Sequence, residues 1–225
     1  VIIGCPVNRA RVLPKYLKAL RDLDYPDKAF LFLENDSTDS TLPILLQFAS
    51  EWGARAVSES FPGPAYNRNE FKRDSYTRLA AVRNRLIDLF LESDADYLFS
   101  VDSDVIVPPD ILTRLLAIAD PETIAGAAIC NVAGCQLDGT VAGNFMIRKG
   151  NLFDHPKNYP LSGVMDVDHL GACYLIPRSV LEGGVRYAAD MQGEDAPWCR
   201  AAAEKGYRMQ ILLDSGCDHR MNEVV

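Results

Sequence analysis

Two carboxylates one residue apart interrupt an apolar run in this chain. Tyr97-Leu98-Phe99-Ser100-Val101 leads into Asp102-Ser103-Asp104, and the run resumes with Val105-Ile106-Val107 before stopping at Pro108-Pro109. In an extended backbone, residues i and i+2 point to one side, so Asp102 and Asp104 can converge. Converging carboxylates repel and call for a cation. A hard, oxygen-seeking one, Mn²⁺ or Mg²⁺, suits them. An acidic turn with both groups solvated is the alternative that this stretch leaves open. Other groups with chemical potential are Glu34-Asn35-Asp36, Arg83, Glu194-Asp195 and His219. Each also has a plainly structural reading: an acidic turn, a helix-surface cation, a helix N-cap, and an imidazole in a surface tail.

The elements that must position these groups follow from periodicity. Apolar runs predict strands over 1–5, 29–33 and 54–57, and apolar spacing of three and four predicts a helix over 12–23. Ser37-Thr38-Asp39-Ser40-Thr41 is rich in N-cap residues and opens a second helix that ends at Gly53. The stretch 60–73 reads as a loop, and 75–91 as a helix carrying Arg83. The run 97–107 reads as a buried strand, and a helix follows Pro108-Pro109-Asp110. Further strands are expected over 124–129, 141–147, 165–176 and 207–213, a loop over 150–162, and helices from Pro177 to Gly183 and over 196–205. The last residues, 214–225, form a polar tail. Strand–helix–strand alternation is the pattern of an open α/β fold with a mostly parallel sheet, and such sheets collect ligands at the carboxyl ends of their strands. Cys5-Pro6, Glu34-Asn35-Asp36 and Asp102-Ser103-Asp104 all fall at such ends.

The chain has 225 residues, 48% of them hydrophobic and 24% charged, with a formal net charge of -8. It is long enough for a full core. Its acidity disfavours general nucleic-acid or anionic-membrane binding. No apolar run approaches the roughly 20 residues of a membrane span. The chain shows no signal-peptide pattern and is expected to be cytoplasmic. It opens on an apolar strand without Met, as it would if residues precede it. None of the six cysteines forms a C-x-x-C zinc pattern. The expectation is reduced, structural cysteines, with Cys130 and Cys135 the pair placed to bridge.

Several segments in order resemble the family 2-like glycosyltransferases of the GT-A fold. Leu33-Glu34-Asn35-Asp36-Ser37-Thr38-Asp39 is similar to their second-strand V-D-D-G-S-T-D. Ala81-Val82-Arg83-Asn84 is similar to A-x-R-N, Asp102-Ser103-Asp104 to D-x-D, and Glu194-Asp195 with Gly206-Tyr207-Arg208 to E-D…G-Y-R. His219 stands where many of these enzymes carry a late metal-binding His. The sequence departs from the pattern in having Glu34-Asn35 for two Asp and Asp36 for Gly. It also lacks the Q-x-x-R-W of processive synthases.

The resemblance implies one GT-A domain over 1–225, with a nucleotide-sugar half at 1–107 and an acceptor and catalytic half at 108–225. It implies transfer of a single sugar from a UDP-sugar to an acceptor hydroxyl, with Mn²⁺ or Mg²⁺ held by Asp102, Asp104 and His219. Nucleotide contacts are expected from Pro6, Asn8, Arg9, Glu34, Asp36, Arg83, Asp102 and Ser103. Asp195 is the expected base of an inverting displacement, with Glu194 beside it. A retaining, mannosyltransferase-like enzyme and a UDP- and Mn²⁺-binding protein without turnover remain the alternatives. The acceptor, whether saccharide, lipid-linked or protein, is unspecified. A phosphatase with an Asp-x-Asp nucleophile is disfavoured because the motif follows three strands. A nucleotidyltransferase is disfavoured because the first strand leads into Pro6-Val7-Asn8-Arg9 and no Gly-rich phosphate loop.

Overall fold

The computed structural model describes residues 2–4, 10–63, 73–130 and 137–220. In chain order the elements are β1 (Ile2–Gly4), α1 (Leu13–Arg21), β2 (Phe30–Glu34), α2 (Thr41–Trp52), β3 (Arg55–Ser58), α3 (Arg73–Leu91), β4 (Tyr97–Val101), β5 (Val105–Ile106), α4 (Ile111–Leu116), β6 (Thr123–Ala127), β7 (Phe145–Lys149), β8 (Leu152–Asp154), β9 (Val164–Val167), β10 (His169–Leu170), β11 (Cys173–Pro177), α5 (Arg178–Glu182), α6 (Asp195–Glu204), β12 (Arg208–Leu212) and β13 (Asp218–His219). An eight-stranded sheet has the order β3-β2-β1-β4-β11-β6-β12-β9. Its strands are parallel except β11 and β9, which run against their neighbours.

Side-chain alternation in the strands builds two apolar layers, one on each face. Phe30, Phe32, Phe99, Val101, Cys173 and Leu175 pack with Leu13, Leu17 and Leu20 of α1, Leu45 and Phe48 of α2, and Leu112 and Leu115 of α4. Their strand neighbours Leu31, Leu33, Leu98, Tyr174 and Ile176 face the other way. They pack with Val82, Leu86 and Phe90 of α3, Val180 of α5, and Trp198 and Cys199 of α6. The site-bearing helices α3 and α6 therefore share one layer.

The local breakers act as their chemistry requires. Gly53 closes α2 in the left-handed conformation, φ 67°. Asp39 prepares the start of the same helix: Oδ1 accepts from Thr41 N at 3.0 Å, and Oδ2 accepts from Ala10 N at 3.1 Å, which ties the β1–α1 connection to the β2–α2 connection. Asp36 takes φ 58°, the left-handed region that glycine favours and that Asp tolerates among the L residues. The departure from Gly at that motif position is thus a conservative one in backbone terms.

Four sequence expectations are corrected. The strand expected over 165–176 is three short strands, β9, β10 and β11. Ala172 turns into positive φ, 62°, just before β11, so the chain changes sheets where a single strand was expected. The strand expected from 141 begins only at Phe145. The loop expected over 150–162 contains β8, which pairs with β7 across Gly150 at φ 65°. The polar tail contains β13, which pairs antiparallel with β5. Among the cysteines, Cys173, Cys199 and Cys217 are free. Cys130, one of the two cysteines singled out as able to bridge, is disulfide-bonded. Its partner, and the nucleotide contacts expected at Pro6, Asn8 and Arg9, lie outside the described residues.

Candidate active site

Asp102-Ser103-Asp104 is a turn, not a continuation of β4. Val105 N donates to Asp102 O at 2.9 Å, which closes the chain over Ser103 and Asp104. The pleat argument for two carboxylates on one side therefore does not apply. What brings Asp104 into the site is the pairing of β5 with β13. Val105 stands opposite His219, and Arg220 N donates to Asp104 O at 2.7 Å. The turn is anchored from behind as well. Asp102 N donates to Ala172 O at 2.7 Å, and the Tyr16 hydroxyl donates to Val101 O at 2.9 Å. Ser103 is buried.

His219 and Asp104 face each other from these paired strands. Their side chains are 13% and 14% exposed, and Nε2 lies 3.6 Å from Oδ1. His219 Nδ1 lies 3.3 Å from the Cys130 carbonyl, which can only accept, so Nδ1 carries the proton and the neutral ring presents the Nε2 lone pair to Asp104. A lone pair facing a carboxylate needs a cation between them, either a proton or a metal. Burial works against a charged imidazole here, but Asp104 outweighs it and raises the His219 pKa. An imidazole nitrogen set by a carbonyl and aimed beside a carboxylate fits a divalent ion such as Mn²⁺. Among the described residues, however, no three His, Cys, Asp or Glu side chains converge as a metal-binding array. Asp104 and His219 are a pair, and the three-ligand set that includes Asp102 is not assembled.

Asp102 instead turns toward α3. Its Oδ1 accepts from Arg83 Nη2 at 3.0 Å, while Arg83 Nε donates to Glu194 Oε1 at 3.0 Å. Arg83 lies over the Tyr187 ring, 5.7 Å from its centroid. Arg83 and Glu194 are 7% and 6% exposed, whereas Asp102 is 33% exposed. Burial alone would lower the Arg83 pKa, but Asp102, Asp195 and Glu194 hold the guanidinium charged and raise it. Arg83 thus commits two donor groups to protein carboxylates. Its neighbour Asn84 clamps the Tyr187 backbone, donating to Tyr187 O at 2.9 Å and accepting from Tyr187 N at 2.8 Å.

Glu194 immediately precedes α6 and Asp195 opens it. Burial is the largest influence on Glu194 and raises its pKa despite Arg83. Asp195 is half-buried, and desolvation followed by repulsion from Glu194 pushes its pKa up to about 8. Tyr174 donates to Asp195 Oδ1 at 3.2 Å. On the other side, Oδ2 lies 3.2 Å from where a Cβ at Gly171 would stand. Gly171 is held by Asn144, a buried side chain whose Nδ2 donates to Gly171 O at 2.7 Å and to Ala127 O at 3.0 Å, and whose Oδ1 accepts from Ile129 N at 2.8 Å.

At the end of β2, Glu34 is buried and turned inward. Oε1 accepts from Ser37 N at 2.6 Å, and Oε2 accepts from the Ser58 hydroxyl at 2.7 Å. Asp36 Oδ2 accepts from Arg78 at 2.6 Å and from Phe61 N at 3.1 Å. Asn35, which carried no assignment, is 4% exposed, and its Oδ1 has no hydrogen-bond partner among the described residues. The fold therefore gathers Asp102, Arg83, Glu194 and Asp195 into one connected group and brings Asp104 and His219 together beside it. Asn144, Gly171, Tyr174 and Tyr187 were not singled out from the sequence, and Asn35 was named there without a role. Only Asn35 carried a signal there, as the amide within a strand-end motif.

The description Glycosyl transferase family 2 belongs to the family model that matches residues 2–181. Among solved structures, S. aureus TarS 1-349 in complex with UDP-GlcNAc has a TM-score of 0.61 at 16% identity, with 95% of this chain and 55% of that one covered. Mannosyltransferase PcManGT from Pyrobaculum calidifontis in complex with GDP-Man and Mn²⁺ has a TM-score of 0.62 at 16% identity, with 97% and 56% covered. The chain thus spans a little over half the length of these structures, and at this identity the likeness concerns the fold. Among curated proteins, none matches the sequence.

Proposed function

The chain belongs to glycosyl transferase family 2 and is a GT-A-fold glycosyltransferase, and from that premise we propose that it moves one sugar from a UDP-sugar to an acceptor hydroxyl, with inversion and with Asp195 as base. The observation that carries this reading is the setting of Asp195. It opens a helix, one oxygen is occupied by Tyr174, and the other faces the space that Gly171 leaves. A carboxylate whose pKa is lifted to about 8 is matched to taking a proton near neutral pH. Asp195 Oδ2 accepts the acceptor hydroxyl proton as that oxygen attacks the anomeric carbon, and the carbon–oxygen bond to the diphosphate breaks.

Asp104 and His219 would hold a divalent ion beside the diphosphate, with Asp102 alongside. Such an ion, when bound, supplies positive charge against the leaving group. Asn35 contacts the base, since a buried amide oxygen without a partner can accept the imide N–H of uracil. Glu34 and Asp36 act through the strand-end turn that they brace. Arg83 joins the turn that carries Asp102 to Glu194, the neighbour of Asp195.

The test is donor hydrolysis in Mn²⁺, which needs no known acceptor, run with UDP-N-acetylglucosamine, UDP-glucose and GDP-mannose. UDP-sugars are expected to turn over in the wild type, and Asp195→Asn is expected to bind UDP unchanged and lose turnover. Wild-type turnover in Asp195→Asn would remove Asp195 as base. Exclusive use of GDP-mannose, the sugar nucleotide bound to the mannosyltransferase above, would reassign the donor.

A further inference from the structure

Behind Asp195 lies a buried pair of phenols that transfer as such does not require. The Tyr174 and Tyr187 hydroxyls are hydrogen-bonded to each other, and Tyr174 reaches Asp195 Oδ1 at 3.2 Å. Both tyrosines belong to the core, at 0% and 6% exposure. Tyr187 stacks on Trp198 with ring centroids 5.4 Å apart, and Arg83 covers its ring. Its backbone is pinned to Asn84 at both N–H and C=O. The second phenol is therefore held in place independently of the carboxylate.

We infer that Tyr174 is a positioning residue for the proposed base: its hydroxyl, backed by that of Tyr187, holds Oδ1 of Asp195, so that the acceptor proton is taken on Oδ2. This inference rests on the reading of Asp195 as base. The direction of the chain follows from what lies at each end. If Tyr187 donates to Tyr174 and Tyr174 donates to Oδ1, every phenolic proton has an acceptor. In the reverse order Tyr174 would spend its one proton on Tyr187 and could not donate to Oδ1. Oδ1 is thus an acceptor in both protonation states of Asp195, and the titrating proton resides on Oδ2. Gly171 completes the arrangement, because a Cβ there would stand 3.2 Å from Oδ2 and crowd the side on which a hydroxyl approaches.

The charged and titratable groups facing Asp195 are Glu194 beside it, Arg83 from α3, Asp102 from the turn after β4, Tyr174 from β11, and Tyr187. Cys199 lies one helical turn along α6, and the His169 ring lies beside Gly171. Of these, Arg83 and Tyr174 favour the ionised carboxylate, while Glu194 and Asp102 oppose it.

The test is a ¹³C titration of the aspartate carboxyls in the whole chain, with Asp195→Asn identifying the resonance of Asp195. Tyr174→Phe keeps the ring and is expected to raise the Asp195 midpoint by about one pH unit or more, the scale of one hydrogen bond to a charged group. Tyr187→Phe leaves the direct contact in place and is expected to raise it less. It also serves if Tyr174→Phe fails to fold. With UDP-N-acetylglucosamine and Mn²⁺, the rising limb of the hydrolysis rate should move by the same amount, with kcat at pH 7 lowered and KM unchanged. An unmoved midpoint in a folded Tyr174→Phe, or in Tyr187→Phe alone where the first is unfolded, overturns the inference. A shifted midpoint together with full turnover in Asp195→Asn would leave the tyrosine contact standing and remove only the base.

Discussion

Replacing Arg83 by Met would keep an unbranched side chain out to the position of Nε and remove the cation that two carboxylates share. The consequence can be worked from burial. Glu194 is 6% exposed and would have no cationic partner left. An unpaired buried carboxylate escapes its desolvation cost by taking up a proton. Holding a carboxyl protonated at pH 7 against an ordinary pKa of 4.5 costs about 3.4 kcal/mol, and at pH 5 about 0.7 kcal/mol. Asp102 is a third exposed, so its pairing with Arg83 adds at most about 1 kcal/mol. The expected loss is therefore about 3–4 kcal/mol at pH 7, within the range for breaking a buried pair, and about 1–2 kcal/mol at pH 5. Urea unfolding of the wild type, Arg83→Met, Glu194→Gln and the double variant at both pH values measures it. The double variant should regain part of the loss at pH 7, because a neutral amide needs no cation. A loss below about 1 kcal/mol at pH 7, or one equal at the two pH values, would refute the view that Arg83 neutralises a buried carboxylate.

Three further outcomes follow from the same geometry. UDP affinity by calorimetry should be higher with Mn²⁺ than with a chelator, and His219→Ala should shrink that difference; equal affinities in the wild type would dismiss the Asp104–His219 pair as a metal site. Gly171→Ala should lower donor turnover at least tenfold with UDP affinity unchanged, since a Cβ 3.2 Å from Asp195 Oδ2 displaces the reacting oxygen; wild-type turnover would show that this side of Asp195 is not used. The pKa of Asp195 rises from an ordinary 3.8 to about 8 in the fold, so the native state keeps a proton that the unfolded chain releases. Its contribution to stability is complete below pH 3.8 and is lost as pH climbs toward 8. Asp195→Asn should flatten the fall of stability over that window, and an identical pH slope in the variant would contradict the raised pKa.

What was legible in the sequence was periodic or local. Alternation and helical spacing gave the strands and helices as far as α4, and the cap chemistry of Asp39 and Gly53 marked α2 in advance. The motif residues Arg83, Asp102, Glu194 and Asp195 do meet. Their partners were hidden because each depends on a contact far along the chain. Arg83 and Glu194 are 111 residues apart, and Tyr187 and Asn84 are 103 apart. No pattern in a window of ten residues carries such a pairing. The run 165–176 misled for a different reason. It has the composition of one strand, and only the positive φ of Ala172 separates β10 from β11. For the Asp102–Asp104 turn, period-two reasoning predicted that the two carboxylates converge; instead Asp102 turns to Arg83, and the pairing of β5 with β13 brings Asp104 to His219.

Arg83 also ties the turn after β4 to the start of α6. Asp102 in that turn and Glu194, which precedes α6, are both carboxylates, and at close range they repel. A single guanidinium placed between them, with Nε toward Glu194 and Nη2 toward Asp102, turns that repulsion into two directed hydrogen bonds. A lysine could supply the charge but not two donors fixed in one plane. Because the fork is rigid, a displacement of the turn passes to Glu194 and so to its neighbour Asp195. Asn84, one residue on, fixes Tyr187 and through it the phenol that touches Asp195. Two consecutive residues of α3 thus hold groups next to Asp195, Glu194 through Arg83 and Tyr187 through Asn84, and this gives the Arg-Asn pair of that motif a physical reason to be adjacent.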